Sequence, residues 1–199
     1  VGAASALSKS EQTRERVLTA AADVFNERGF SNTRLSDIAE RAGMQAGSLY
    51  YHFESKEDLM RTLVERAVER IYLAVRQQVD EVPRDEPMRR LEVAIDAHIR
   101  AALADEGAGG ATVRMYGQIP TDVNHLLRPL YDDITKFWRG LVSEAQRQGV
   151  FTTDVSAEVG ALLILGSLNW STAWYRPGKH SVDRIVRNAQ RLLLGDTGA

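Results

Sequence analysis

Apolar residues recur along this chain at helical spacing almost from its start. Val17, Ala21 and Val24, flanked by Leu18, Ala22 and Phe25, form one face of a predicted first helix over residues 8–29. Ser8 and Glu11 have the spacing of a capping box at its start, and Gly29 fits its end, with Phe30 placed to fold back on it. A second helix is predicted over 33–42, with Thr33 as N-cap and Leu35, Ile38, Ala39 and Ala42 facing inward. Ala39 is small enough for a neighbouring helix to come close. Gly43 then supplies a sharp turn, and a third helix runs through AGSLYYHF with Leu49 and Phe53 one turn apart on its inner side. Two short helices joined at a glycine have the pattern of a helix-turn-helix.

The later pattern is longer in wavelength. Ser55 and Asp58 have the spacing of another capping box, at the start of a helix expected to run to about residue 81. It carries one stripe of Leu59, Leu63 and Ala67 and another of Val64, Val68, Ile71, Val75 and Val79. At about 1.5 Å per residue it spans roughly 40 Å, enough to link two subdomains. Pro83 and Pro87 bracket a break before a helix over 86–104. A glycine-rich loop at 105–112 and a short helix over 113–117 follow, then long helices over 121–149 and from Asp154 or Ser156 to about 175. Arg176, Pro177 and Gly178 break the latter before a last amphipathic helix over 181–194. No strand and no internal repeat is evident. The expected class is all-α, with about nine helices. The eighth predicted helix is apolar on too many sides (Ala161, Leu162, Leu163, Ile164, Leu165, Leu168, Trp170, Trp174). Such a helix is either the central one of its own chain or covered by a second copy, with the ninth helix completing a four-helix interface.

Composition narrows the picture. The 199 residues, 44% hydrophobic, suffice for one large domain or two small ones. No apolar run is long enough for a membrane helix, and VGAASALSKS lacks the pattern of a secretory signal. The absence of cysteine excludes disulfides and thiolate metal sites, and a cytoplasmic protein is expected. Net charge is −2, and residues 1–56 balance seven basic against seven acidic side chains. Charge therefore gives no support for nucleic-acid binding, which must rest on the motif and on where individual charges fall. No nucleophile elbow, phosphate loop or set of spaced metal ligands appears, so no catalytic residue, metal or cofactor is assigned and an enzyme is not expected. The histidines His98, His125 and His180 are scattered without partner spacing.

Residues 20–59, AAADVFNERGFSNTRLSDIAERAGMQAGSLYYHFESKEDL, resemble the TetR family of bacterial transcriptional regulators. The match is carried by Asp37-Ile38-Ala39, Ala42-Gly43, the run Gly47-Ser48-Leu49-Tyr50-Tyr51-His52-Phe53, Lys56 and Leu59. The resemblance implies a helix-turn-helix head over 8–56 and an effector-binding and dimerisation domain over 57–195. It also implies that the head enters the major groove of a palindromic duplex operator as one half of a homodimer. Gln45 and Ser48 are then placed to read base edges, and Gly47 to let backbone come close. Thr33, Arg34, Ser36, Tyr51, His52 and Lys56 are placed to meet phosphates or bases, with Lys9 and Arg14 adding contacts from the first helix. Tyr50 either joins them or packs inward with its hydroxyl out.

The same resemblance implies a small-molecule effector bound among the C-terminal helices, whose entry shifts the long fourth helix and the spacing of two heads about 34 Å apart. The wall candidates are His98, Arg114, Met115, Tyr116, Phe137, Trp138, Trp170, Trp174 and Tyr175, each of which can equally be ordinary core. Arg114 in an apolar setting calls for an anion. Leu168-Asn169-Trp170 through Trp174-Tyr175-Arg176-Pro177-Gly178 looks similar to the end of the eighth helix in TetR regulators of fatty-acid and sterol breakdown, which sense acyl-CoA thioesters. That implies an acyl-CoA whose phosphates meet Arg176, Lys179 or Arg114. The expected protein is a ligand-released repressor. The alternative is an interaction protein that keeps the fold and has lost DNA binding.

Overall fold

The computed structural model describes residues 8–104, 119–151 and 154–195. Within them the chain forms α1 (Lys9–Arg28), α2 (Leu35–Arg41), α3 (Ala46–Tyr50), α4 (Lys56–Asp80), α5 (Pro87–Leu103), α6 (Thr121–Arg147), α7 (Ala157–Trp174) and α8 (Val182–Leu194). No strand occurs among the described residues. The predicted 105–112 loop and 113–117 helix lie outside them.

The helix starts follow local hydrogen-bond chemistry. Ser8 accepts the Glu11 N–H while Glu11 accepts the Ser8 N–H, a complete capping box. Ser55, Ser156 and Ser181 each accept the N–H three residues on. The second helix corrects the sequence expectation. Arg34, not Thr33, is its N-cap, and the Arg34 N–H donates to the Asp37 carboxylate at 2.9 Å. Thr33 is 2% exposed, and its hydroxyl donates to the Gly29 carbonyl at 2.8 Å. That bond closes the end of α1 and holds the hydroxyl at Gly29 O, while Arg34 takes the capping position of α2. After α2, the Met44 N–H reaches Ala39 O and the Gly43 N–H reaches Glu40 O, the pair of bonds of a Schellman ending. Gly43 has φ 66°, so the turn between the two short helices depends on a residue without Cβ.

Two hydrophobic cores are strung on α4. The first holds Phe25, Ile38, Leu49 and Phe53 with Leu59, Met60, Leu63 and Val64 of α4; Ile119, Val123 and Leu127 around the start of α6 join it. The second holds Ala67, Ile71, Val75 and Val79 of α4 with α5, the second half of α6, and the inner sides of α7 and α8. The helix through α4 thus belongs to both, as its two apolar stripes suggest.

The central helix of the second core is α5, which packs against α4, α6, α7 and α8. α7 is not enclosed by its own chain. Ala161, Ile164, Leu165 and Leu168 are buried, while Leu162, Leu163, Trp170 and Trp174 are exposed. α8 is tied to α5 by polar contacts: Arg100 pairs with Asp183 at 2.6 Å, and the Gln190 amide donates to Glu92 O at 3.0 Å.

Candidate nucleic-acid interface and effector region

Leu49 and Phe53 are buried beneath α3 and the turn after it, which fixes what remains outside. Gln45, Gly47, Ser48, Tyr50 and Tyr51 are exposed, as are Arg34 and Ser36 at the start of α2. Tyr50 is therefore not packed inward. Tyr51 is 85% exposed, its ring edge-on to His52 at 5.2 Å. α3 is shorter than its sequence pattern, ending at Tyr50, and His52 lies half-buried in the turn. A Cβ on Gly47 would meet nothing within 4 Å. Nothing inside the chain requires glycine there, and the space left open faces outward.

Thr33 departs from its expected place. Buried and bonded to Gly29 O, it has no side chain to offer a phosphate. Lys56 also departs. Its Nζ donates to the carbonyls of Phe30 and Thr33 at 3.1 and 3.3 Å and lies 4.4 Å from the Phe30 ring centroid. Arg14, expected to add a contact, donates from Nη1 to His52 O at 2.8 Å, with its guanidinium 4.1 Å from the Phe53 ring centroid.

Some of the head's other charges are paired. Arg41 and Glu27 form a two-point pair at 2.9 and 2.6 Å. The pair holds the Glu27 carboxyl below its usual range, mainly through the hydrogen bond from Arg41. Arg28 pairs with Asp37 and Arg66 with Glu15. The Arg34 guanidinium has no partner among the described residues.

In the second core the structure brings together three of the expected effector residues' rings in two places. His98 is buried, edge-on to Trp138 at 5.9 Å, and its Nε2 lies 3.1 Å from Asn169 Oδ1. Burial pushes the His98 imidazole down to about 4, partly opposed by the Asn169 hydrogen bond. Phe137 meets Tyr72 of α4 edge-on at 5.6 Å. Tyr175 is half-buried against the same core. Trp170 and Trp174 lie elsewhere. Trp170 is 69% exposed on the outer side of α7 and walls no interior site among the described residues. Trp174 borders a groove of about 310 Å³ between α7 and α8, floored by Ile99 of α5. Arg176 donates to Ala173 O and Tyr175 O, closing the end of α7, and Lys179 is exposed. Arg114, Met115 and Tyr116 lie outside the described residues.

Sequence reasoning gave no role to Asn169 or Tyr72. Asn169 carried a signal, an amide inside an otherwise apolar helix; Tyr72 carried none. Among the described residues there is no group of three or more acidic or histidine side chains able to hold a metal ion, and no helix long and apolar enough to cross a membrane.

Two family profiles match the chain: bacterial regulatory proteins of the tetR family over residues 17–63, and the tetracyclin repressor-like C-terminal domain over 84–196. The HTH-type transcriptional repressor BepR of Brucella suis is 27% identical, across 92% of this chain and 89% of its own. The HTH-type transcriptional repressor KstR2 of Mycobacterium tuberculosis is 30% identical, across 83% of this chain and 82% of its own. Among solved structures, AibR in complex with isovaleryl coenzyme A and operator DNA superposes with a TM-score of 0.79. It covers 92% of this chain and 98% of that one, at 20% identity, and the likeness concerns the fold. These families and relatives are transcriptional regulators, not enzymes. With both halves of the chain matched, and relatives aligned over most of their lengths, the chain belongs to the TetR family of bacterial regulatory proteins.

Proposed function

We propose that this protein is a homodimeric repressor that binds a palindromic duplex operator and leaves it when a small molecule enters the C-terminal helices. The observation that carries the reading is the outward side of α3: exposed Gln45, Ser48, Tyr50 and Tyr51 around a glycine that nothing in the chain demands. Gln45 and Ser48 read base edges, while Tyr50, Tyr51, His52, Ser36 and Arg34 set the register on phosphates. The head over 8–56 is the reading unit and 57–195 the responding one. α4 links them because it is packed in both cores.

Two supports favour an acyl-CoA thioester as the effector. One is the resemblance at the end of α7; the other is a fold neighbour, AibR, that holds isovaleryl coenzyme A together with operator DNA. His98 with Asn169, Phe137, Trp138 and Tyr175 then form the described part of the wall. Trp170 and Trp174 belong to the dimer face. Binding can displace the head only if the ligand prefers the state in which the heads no longer fit adjacent grooves.

The test is a duplex selected by the protein from a random pool and labelled for fluorescence anisotropy. A palindromic sequence bound by a dimer, and released by one of a series of short to long acyl-CoAs, is the expected result. Selection of no sequence by a folded dimer would favour the interaction-protein alternative. A specific duplex that no thioester releases would remove the acyl-CoA class and leave the DNA reading standing.

A further inference from the structure

Lys56 stands where the family resemblance implies a phosphate contact, yet two of the three donors of its ammonium are already held inside the head. An ammonium has three N–H donors and no acceptor. Two of them are held by the carbonyls of Phe30 and Thr33, and the charge lies over the face of the Phe30 ring at 4.4 Å, a cation–π placement. Both carbonyls belong to the non-helical turn between α1 and α2. Phe30 O also accepts the Thr33 N–H at 3.2 Å, and the Phe30 ring packs on Phe25 at 5.4 Å. The first residue of α4 thereby fastens the turn from which α2 is launched. Carrying Nζ to a phosphate would release two carbonyls and a ring together.

Arg14 makes the matching contact on the other side. It ties α1 to the turn after α3 through His52 O and stacks on Phe53. The α2–α3 unit is thus bracketed by two cations that point into the protein. Arg34 differs from both: it is exposed and unpartnered among the described residues.

We infer that Lys56 is a positioning residue for DNA recognition, holding the α1–α2 turn and hence the tilt of α2 and α3 against α4, and that Arg34 supplies the phosphate-neutralising charge. The inference rests on the DNA-binding reading above. It has a consequence for salt. Each phosphate neutralised steepens the dependence of log K on log salt by about 0.9 on B-form DNA. A cation spent inside the head contributes nothing to that slope.

The experiment uses the full chain, the selected duplex, and anisotropy between about 50 and about 200 mM salt. Amide hydrogen exchange is measured on the free protein. Lys56→Met keeps the stem and removes the charge. It is expected to weaken binding roughly tenfold or more with the wild-type salt slope. Exchange should quicken at Thr33 and the first amides of α2 and nowhere else, and Lys56→Arg should restore most of both. Arg34→Ala should lower the slope by about 0.9 per protomer and leave exchange unchanged. Should Lys56→Met fail to fold, Lys56→Gln carries the same comparison. A Lys56→Met slope lowered by one contact per protomer, with exchange at the α1–α2 turn unchanged, would overturn the inference. Unaltered affinity and exchange would do so as well. A wild-type dimer that selects no duplex fails the DNA-binding reading itself, which shows before any variant is made.

Discussion

The outer face of the head and the outer face of α7 and α8 are both exposed, but they expose different chemistry. On the head, Leu49, Phe53 and Ile38 are inside, and the large exposed side chains are Tyr50 and Tyr51, each with a hydroxyl. The large apolar side chains exposed on α7 and α8 are Val159, Leu162, Leu163, Trp170, Trp174 and Leu192, the last 86% exposed. A phosphate surface rewards placed donors and gains little from apolar area. A protein partner rewards apolar area, at about 25 cal/mol per Å² removed from water. The contrast fits the two partners proposed above, nucleic acid at the head and a second copy at α7 and α8.

The comparison is broken most severely by charging the apolar face. Leu163→Glu with Leu192→Glu places carboxylates where a second copy would seat, at positions that no contact inside the chain needs. The expected result is a folded monomer by sedimentation. Operator affinity should drop roughly a hundredfold or more, because two linked heads raise each other's effective concentration. A double variant that still sediments as a dimer would place the interface elsewhere.

α7 has an inner side as well, and there the polar contact is deliberate. His98 of α5 meets Asn169 of α7 and the edge of Trp138 of α6, joining three helices at one buried imidazole. Its pKa, about 4 in the folded chain, lies below the ordinary 6.5. Between those values the unfolded chain binds a proton that the folded chain does not, so acidification favours unfolding. Stability contributed by neutral His98 is complete above about pH 6.5, falls through that window, and levels off below about pH 4, a loss of about 3 kcal/mol. Denaturant melts at a series of pH values should show the slope in the wild type and lose it in His98→Phe. An unchanged slope in the variant would assign the acid sensitivity to other groups.

The sequence was most legible where local chemistry decides. The capping box at Ser8, the serine cap at Ser55 and the positive φ at Gly43 all depend on neighbours within a few residues, and pattern reading placed them. It misplaced the start of α2, because the Thr33 side chain is buried and held at Gly29 O, one turn back in the chain but beyond the end of α1. Lys56 illustrates the same limit at longer range. Its partners lie 23 and 26 residues earlier, and no spacing rule tells a lysine that reaches inward from one that reaches out. α7 was ambiguous for a related reason. Its apolar content is uniform along the sequence, and only the packing of α5, which took the central position, shows which half of α7 its own chain leaves uncovered.

The smallest change sharpens the head's side of the comparison. In the proposed complex Tyr51 offers DNA a neutral hydroxyl, whereas Arg34 offers a charge. Tyr51→Phe keeps the ring and its edge contact with His52 and removes only the oxygen. One hydrogen bond to a charged phosphate is worth about 1.5 to 3 kcal/mol when fully formed. At a site 85% exposed, with water competing, the loss should sit at or below the low end of that range. Operator affinity is therefore expected to fall several-fold, with folding stability unmoved and the salt slope the same as wild type, since no counterion is released by a phenol. A change of slope in Tyr51→Phe would mean that removing the hydroxyl had moved a cation off the backbone. The head's surface would then act as one coupled unit rather than as separate donors on a fixed frame.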